Sequence, residues 1–290
     1  MELSLWREKA SPRWVVSRAS DLLFPVTRAI DRLIHPGAAT HGTVVYGYLG
    51  RLGRLGNQLW QIASTLGIAR ILGADARFPP WSYQPYFSVP DRYFTDRWLL
   101  GRDTRRYLPS GPGTHHLYLQ DSRLLTGVEA EIREYFAPTP SLAAALRERH
   151  REFFAIPDKT AITVRRGDYL TSPRHSVPSE RFYRAALEIA GGNVVIFSDD
   201  MPWCREHMAW ADPVMFAPET PDYEQILLLA ACRRYVIANS SFAWWGAYLS
   251  GSTEVIYPVR WFAGPTADDS RDMFIEGWLG LDDDGARSST

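Results

Sequence analysis

Two adjacent arginines that follow an apolar run are the residues of this sequence best suited to charge chemistry. Residues 160–164 predict a buried strand, and Arg165 and Arg166 come directly after it. A guanidinium group presents paired, planar donors to phosphate oxygens, so the two arginines could clamp a diphosphate. Asp168 could orient one guanidinium group or take a proton. The alternative interpretation is a solvated charged loop that joins a strand to a helix.

Two carboxylates follow a second apolar run. Asp199 and Asp200 come directly after residues 194–197, and a helix is predicted to start near Pro202. These carboxylates could hydrogen-bond a ribose or the edge of a base. They could equally cap the helix, which is the simpler explanation for at least one of them.

A cluster of Asn and Ser follows a third apolar run. Residues 235–237 lead into Asn239, Ser240, Ser241 and Phe242. Asn and Ser at the start of a helix are an N-cap signal. The same geometry offers backbone N–H groups and hydroxyls to a phosphate. Because the cluster follows a strand directly, the pattern favours phosphate binding.

The elements that position these residues alternate between strand and helix. The predicted strands are residues 160–164, 194–197, 214–216, 235–237 and 254–257. The predicted helices are residues 180–190, 202–208, 223–231 and 242–249. Such alternation predicts a parallel sheet covered by helices on both faces. Ligands of these sheets bind beyond the carboxyl ends of the strands, often against helix N-termini, which is where the polar residues lie.

The amino-terminal part carries a glycine-rich turn between a strand and a helix. The strand is predicted at residues 43–46, and the helix runs from Leu59 to a stop at Gly73. The glycines of the turn recur every three residues, at Gly47, Gly50, Gly53 and Gly56. This spacing matches neither the G-x-G-x-x-G fingerprint nor a P-loop. The segments predicted after it are a loop at residues 79–113, a strand at 116–119, and helices at 130–135 and 142–154.

Length, charge and cysteine content exclude several classes of protein. A chain of 290 residues predicts two packed lobes. A net charge of −1 provides no basic field for a nucleic acid. Cys204 and Cys232 stand apart, which argues against a zinc cluster or a disulfide framework and favours a reducing, cytoplasmic setting. A D-x-D pattern at residues 282–284 lies in a polar tail, so no metal site is predicted.

Residues 1–40 are predicted to form an amphipathic helical extension. They contain no apolar run that approaches the roughly 20 residues of a membrane span, and no signal-peptide core. The basic residues interleaved with apolar ones are Arg7, Lys9, Arg13, Arg18, Arg28 and Arg32. Such a segment could make a peripheral contact with the anionic inner surface of a membrane, or could dock on the body of the protein itself.

Taken together, these segments resemble the alpha-1,2-fucosyltransferase family, glycosyltransferase family eleven. The matching segments are residues 53–61 (the G-x-L-G-N-Q motif), 165–168 (the core of H-x-R-R-x-D), 197–204 (F-S-N/D-D…W-C) and 239–245 (N-S-T/S-F-x-W-W). Pro258, residues 261–262 and Trp278 resemble its closing stretch. The similarity spans residues 43–280, with the motifs in the order of the family. Thr163 departs from the pattern, because the family has a His there and Thr cannot carry charge.

The resemblance implies an α/β fold of the GT-B type, with two Rossmann-like lobes and a cleft between them. It also implies inverting, metal-independent transfer of fucose from GDP-fucose, without a cofactor, to a hydroxyl of a glycan acceptor in an alpha-1,2 linkage. The expected organisation is an amino-terminal extension (1–40), an acceptor-side lobe (41–156), a GDP-sugar-binding lobe (157–258), a closing segment (259–281) and a disordered tail (282–290).

A role for each candidate residue follows from this resemblance and from the chemistry of the transfer. Arg165 and Arg166 neutralise the charge that develops on the departing β-phosphate. Asp168 is the first candidate for the base that activates the acceptor, and Asp121 the second. The residues assigned to donor binding are Asp199, Asp200, Asn239, Ser240, Ser241 and Phe242, together with Gly53, Asn57 and Gln58 facing the cleft.

Two other functions remain open at this point. The chain could be a transferase that uses a different nucleotide-sugar donor. It could also be a non-catalytic protein that binds a sugar nucleotide, an interpretation that the substitution at Thr163 keeps open.

Overall fold

The computed structural model describes residues 43–95, 118–263 and 273–288. The predicted amphipathic extension at residues 1–40 lies outside these ranges, and so do residues 96–117. Across the described ranges, none of the helices combines the length and the hydropathy needed to cross a membrane.

The chain divides into two compact units, and the first, Met1–Tyr135, contains a parallel pair of strands. Strand β1 (Thr43–Val45) pairs with β2 (Asp75–Arg77), and helix α1 (Leu55–Leu72) connects them. The predicted helix stop is confirmed, because the residue after α1 is a glycine with a φ of 61° whose N–H donates to carbonyls of the last turn. Helix α2 (Glu129–Tyr135) ends the unit.

The prediction of a strand at residues 116–119 is wrong for its described half. Tyr118 and Leu119 lie in a turn, and Leu119 has a φ of 56°. The carbonyl of Leu119 accepts hydrogen bonds from Ser64 Oγ at 2.7 Å and from the N–H of Asp121 at 2.9 Å. Its partners are therefore a side chain of α1 and a turn, instead of a neighbouring strand, and a pattern of apolar residues cannot distinguish these cases.

The second unit, Phe136–Thr290, contains a six-stranded sheet in which every pair is parallel. Its strands are β3 (Lys159–Val164), β4 (Asn193–Ser198), β5 (Met215–Phe216), β6 (Arg234–Val236), β7 (Val255–Pro258) and β8 (Leu279–Leu281). Their order across the sheet is β5-β4-β3-β6-β7-β8. The first five confirm the predicted strands within one or two residues. Strand β8 was missed, because it contains a glycine and leads directly into three aspartates, and both residue types are uncommon in strands.

Helices alternate with these strands, as predicted. They are α3 (Pro140–Arg149), α4 (Arg151–Ala155), α5 (Glu180–Ala190), α6 (Met201–His207), α7 (Asp222–Ala230) and α8 (Ser241–Ser250). Both α3 and α4 belong to the second unit, which begins at Phe136. A boundary between two lobes after residue 156 stays a prediction.

A buried core holds the central strands in place. All six residues of β3 are buried, as expected for a central strand of a parallel sheet. Phe182 of α5 and Cys204 of α6 pack in one cluster with Ile162 of β3 and Ile196 of β4. Full burial of side chains of this size contributes roughly 1.5–3 kcal/mol each. This packing fixes the carboxyl ends of β3 and β4, which carry the candidate site.

The segment predicted to be a disordered tail forms a turn as far as it is described. The Asp282 carboxylate accepts from the N–H groups of Asp284 and Ala286 at 3.0 and 2.8 Å. Gly285 packs closely against Ala185 of α5. Polar composition suggested disorder, but local hydrogen bonds and docking on α5 give residues 282–288 a defined conformation.

Candidate active site

The carboxyl ends of β3 and β4 bring the predicted arginines and carboxylates together. The two strands are neighbours in register, with Val164 beside Ser198. The residues that follow each strand therefore emerge at the same edge of the sheet. The N–H of Arg166 donates to Asp199 Oδ1 at 2.8 Å, which connects the two strand ends.

Five side chains form what we name the arginine–carboxylate cluster: Arg165, Arg166, Asp168, Asp199 and Asp200. Arg165 binds Asp168 through Nη2, and its Nη1 lies 2.7 Å from Asp199 Oδ2. Arg166 Nε donates to Asp200 Oδ2 at 3.1 Å. The side chains of Arg165 and Arg166 are only 19% and 17% exposed, so they do not belong to a freely solvated loop. Each guanidinium has more N–H donors than these carboxylates occupy, so both can also bind phosphate oxygens.

Aromatic rings support both guanidinium groups. The guanidinium carbon of Arg165 lies 5.1 Å from the ring centre of Tyr169, and that of Arg166 lies 3.8 Å from Trp203. Contacts of this kind contribute about 0.5–2 kcal/mol, depending on how far the cation is desolvated. The rings and the carboxylates together hold each arginine in one orientation.

Asp199 and Asp200, for which the sequence left helix capping and nucleoside binding open, have different partners in the structure. Asp200 caps α6, because its Oδ1 accepts from the N–H of Trp203 at 3.3 Å, so the capping interpretation is confirmed for this residue. Asp199 accepts from Arg166 and lies against Gly167, where a Cβ would collide with its Oδ2. A contact of either carboxylate with the nucleoside stays a prediction.

Asn239 is buried beside the cluster and connects two loops. It is 1% exposed, and its Nδ2 donates to the carbonyls of Ser176 and Trp261, both at 2.8 Å. Its own carbonyl accepts from Tyr169 Oη at 3.1 Å. Asn239 Oδ1 makes no hydrogen bond within the described residues. The amide N–H groups are thus engaged in positioning loops, and a role of Asn239 in donor binding stays a prediction.

Ser240 and Ser241 open helix α8. Ser240 is the N-cap residue, and its Oγ accepts from the N–H of Phe242 at 3.3 Å, which confirms the predicted cap. Since α8 follows β6, the neighbour of β3, its N-terminus lies at the same edge of the sheet as the cluster. A helix N-terminus carries partial positive charge and favours an anion.

Thr163 connects β3 to the segment that leads into α8. Its Oγ1 accepts from the N–H of Ala238 at 2.7 Å, and the side chain is buried. Thr163 therefore aligns two strand ends through a neutral hydrogen bond at the position where the family pattern has an ionisable residue.

His175 belongs to the site and was not identified from the sequence. Its ring stacks on Tyr169, with ring centres 4.2 Å apart. Burial lowers the pKa of His175; the charge of Asp168 opposes this, and the charges of Arg165 and Arg174 add to it. Nothing in the local pattern links His175 to Tyr169, because the stacking contact is made through the folding of an irregular loop.

The remaining predicted donor-binding residues, Gly53, Asn57 and Gln58, lie in the first unit. Gly53 has a φ of 71°, and a Cβ there would lie 2.5 Å from Asn57 Cβ. Gln58 Nε2 donates to the carbonyl of Gly53 at 3.1 Å, and Gln58 Oε1 accepts from Trp81 Nε1 at 2.8 Å. Asn57 Oδ1 accepts from Gln120 Nε2 at 2.8 Å. These contacts hold the glycine turn, and roles of the three residues in donor binding stay predictions.

Asp121, the second candidate base, also lies in the first unit. Its Oδ2 is paired with Arg123 Nη2 at 2.7 Å, and its Oδ1 accepts from the N–H of Arg123 at 3.0 Å. Both contacts are local, and a role of Asp121 as the base stays a prediction. In the described part of the chain, no three His, Cys, Asp or Glu side chains converge as metal ligands. Metal independence nevertheless stays a prediction.

Known proteins similar to this chain are glycosyltransferases. O-antigen biosynthesis glycosyltransferase WbnK and an alpha-1,2-colitosyltransferase, both of Escherichia coli, are each 28% identical over 57% of this chain, and the matches span 59% and 61% of those proteins. Galactoside alpha-(1,2)-fucosyltransferase 2 of Bos taurus is 26% identical over 94% of this chain and 88% of its own. The crystal structure of NodZ alpha-1,6-fucosyltransferase co-crystallized with GDP has a TM-score of 0.47 at 12% identity, over 87% of this chain and 98% of that one.

A family model covers most of the chain. The model described as glycosyl transferase family 11 matches residues 69–282. That range contains the whole arginine–carboxylate cluster and the start of α8, whereas the glycine turn at residues 47–56 precedes it. Because the match extends over well more than half of the sequence, this protein belongs to glycosyl transferase family 11.

Proposed function

We propose that this protein transfers fucose from GDP-fucose to a hydroxyl of a glycan acceptor, in an alpha-1,2 linkage, with inversion and without a metal ion or cofactor. Membership of family 11 and the relatives named as alpha-(1,2)-fucosyltransferases support this reaction. The observation that carries the proposal is the arginine–carboxylate cluster beside the N-terminus of α8. It gathers fixed N–H donors at the edge of the sheet where nucleotide ligands of parallel sheets bind.

The cluster supplies what departure of GDP requires. When the bond between fucose C1 and the β-phosphate breaks, negative charge develops on that phosphate. Arg165, Arg166 and the N-terminus of α8 stabilise this charge through donors that are already oriented. A single donor of this kind typically contributes roughly 3–4 kcal/mol to the transition state. Asp168, Asp199 and Asp200 keep the guanidinium groups in place, so little reorganisation accompanies the reaction.

A donor with a different sugar is the second candidate. One relative is named an alpha-1,2-colitosyltransferase, and it is as similar to this chain as WbnK is. A thermal-shift panel of GDP-, UDP- and dTDP-linked sugars distinguishes the donors, because a ligand raises the stability of the folded state by RT ln(1 + [L]/Kd). We expect the largest shift with GDP-fucose, and a larger shift with another nucleotide sugar contradicts this choice of donor.

The reaction itself is tested by incubating the full chain with labelled GDP-fucose and a glycan array in the presence of EDTA. We expect label on galactose-terminated glycans, and the configuration at the new linkage is read by nuclear magnetic resonance. Binding of GDP-fucose without release of fucose supports a non-catalytic sugar-nucleotide-binding protein instead. Loss of all transfer in EDTA, with recovery on adding Mg²⁺ or Mn²⁺, contradicts metal independence.

A further inference from the structure

His175 lies in a loop that several hydrogen bonds hold beside the arginine–carboxylate cluster. Asn239 Nδ2 donates to the carbonyl of Ser176 at 2.8 Å, immediately after His175. The carbonyl of Arg174, immediately before it, accepts from the N–H of Ala263 at 2.8 Å. The backbone on both sides of His175 is therefore fixed, and the imidazole has a defined position.

The ring of His175 is also oriented. It stacks on Tyr169 with an interplanar angle of 17°, and Arg165 contacts that same tyrosine ring. His175 Nδ1 lies 2.9 Å from Ser172 Oγ. Within the described part of the chain, Nε2 makes no hydrogen bond. The tautomer in which Nδ1–H donates to Ser172 leaves a lone pair on Nε2.

The surroundings of His175 favour a neutral imidazole, mainly because the ring is partly buried. Burial lowers its pKa, and Arg165 and Arg174 lower it further against the opposing charge of Asp168. The ring is thus mostly unprotonated at neutral pH and able to accept a proton. Asp168, in contrast, already accepts a hydrogen bond from Arg165 and is 60% exposed, which suits the task of orienting that arginine.

We propose that Nε2 of His175 is the general base that takes the proton from the acceptor hydroxyl. This assignment rests on the proposed function. As the acceptor oxygen bonds to fucose C1, its O–H bond breaks and the proton passes to Nε2. The bond between C1 and the β-phosphate oxygen breaks at the same time, and its electron pair leaves with GDP. The imidazolium then returns its proton to the solvent.

The test compares His175→Gln with the wild-type protein in the full chain. We expect kcat to fall roughly 10²–10⁴-fold, the range for loss of a positioned base, while KM for GDP-fucose changes little. An unchanged thermal shift with GDP shows that the variant is folded and binds the nucleotide. His207→Gln is the matched control, since His207 also stacks on an aromatic ring, Trp203, at 4.7 Å. Its kcat stays close to wild type.

The pH profile separates a base from a structural residue. The wild-type kcat should decline on the acidic side with a midpoint below the ordinary histidine value of 6.5, and this decline should vanish in His175→Gln. Asp168→Asn should move the midpoint to lower pH, because the charge of Asp168 raises the pKa of His175. If Asp168→Asn loses all turnover while His175→Gln stays active, Asp168 is the base that accepts the proton, and the proposal is overturned.

The experiments distinguish failure of the proposed base from failure of the proposed function. An active wild type whose His175→Gln variant keeps its kcat and its acidic decline overturns the assignment of the base alone. A wild type that transfers no fucose overturns the proposed function, and the assignment falls with it.

Discussion

The glycine turn of the first unit and the arginine–carboxylate cluster of the second both carry residues predicted to bind the donor, yet they use their polar groups differently. In the turn, Gln58 and Gln61 are 6% and 0% exposed, and both donate to backbone carbonyls of the turn. In the cluster, Arg165 and Asp168 are 19% and 60% exposed and pair with other charges. The glutamine side chains of the turn bind backbone groups and so maintain its conformation. The partly exposed arginines of the cluster still have N–H donors available for a ligand.

Among the variants that compare these two regions, removal of a cluster arginine should have the largest effect on activity. Arg165→Ala deletes one of the donors proposed to bind the β-phosphate, so we expect kcat to fall about 10²–10³-fold, the loss for one such donor. The melting temperature should change little, because Asp168 and Asp199 stay accessible to water. Steady-state kinetics and calorimetry measure the two quantities. Kinetics equal to wild type contradict the electrostatic role of the cluster.

Removal of a turn glutamine should instead affect stability. Gln58→Ala leaves Trp81 Nε1 buried without its acceptor, which costs about 1–3 kcal/mol. Denaturant unfolding measures this loss, and Gln84→Ala is the matched control, because Gln84 makes an exposed hydrogen bond to Asp91. If Gln58→Ala keeps normal stability but loses much of its affinity for GDP-fucose, Gln58 binds the donor. The turn and the cluster would then have the same role.

A smaller change tests how closely the cluster is packed. Gly167→Ala forces a Cβ against Asp199 and displaces it from both arginines, so we expect about a tenfold loss of kcat, equivalent to about 1.4 kcal/mol. Gly246→Ala is the comparison, since its Cβ meets the side chain of Leu229 between α7 and α8. That variant should lose stability while the folded protein keeps its kcat. A normal kcat in Gly167→Ala together with a reduced kcat in Gly246→Ala contradicts the role given to Asp199.

The smallest effect is expected at a salt bridge outside both regions. Arg181 and Asp284 are 79% and 77% exposed at their side chains, and they lie 3.1 Å apart. Arg181→Ala should change the free energy of unfolding by less than about 1 kcal/mol and leave kcat unchanged. A loss of activity here would show that a positive charge outside the cluster also affects turnover, and would contradict a specific role of the cluster arginines.

Most of the second unit could be predicted from the sequence, because continuous apolar strands and helices of regular spacing leave a strong local signal. The strands of the first unit were harder to predict from the sequence. The apolar residues at 118–119 pack in a turn against α1, and an apolar pattern of that length fits a strand equally well. The short strands β2 and β8 contain Asp and Gly, which are uncommon in strands and hide them in the sequence.

The sequence by itself determined that Arg165 and Arg166 follow an apolar strand, and that two more strands end in polar residues. Parallel pairing then requires these groups to share one edge of the sheet. Only the tertiary structure decided their partners. Asp199 and Asp200 hold the arginines. Asn239 holds the loops at Ser176 and Trp261, and His175 stacks on Tyr169. Such contacts join residues far apart in the chain, and their geometry depends on the register of strands and the path of loops, which no local pattern of residues encodes.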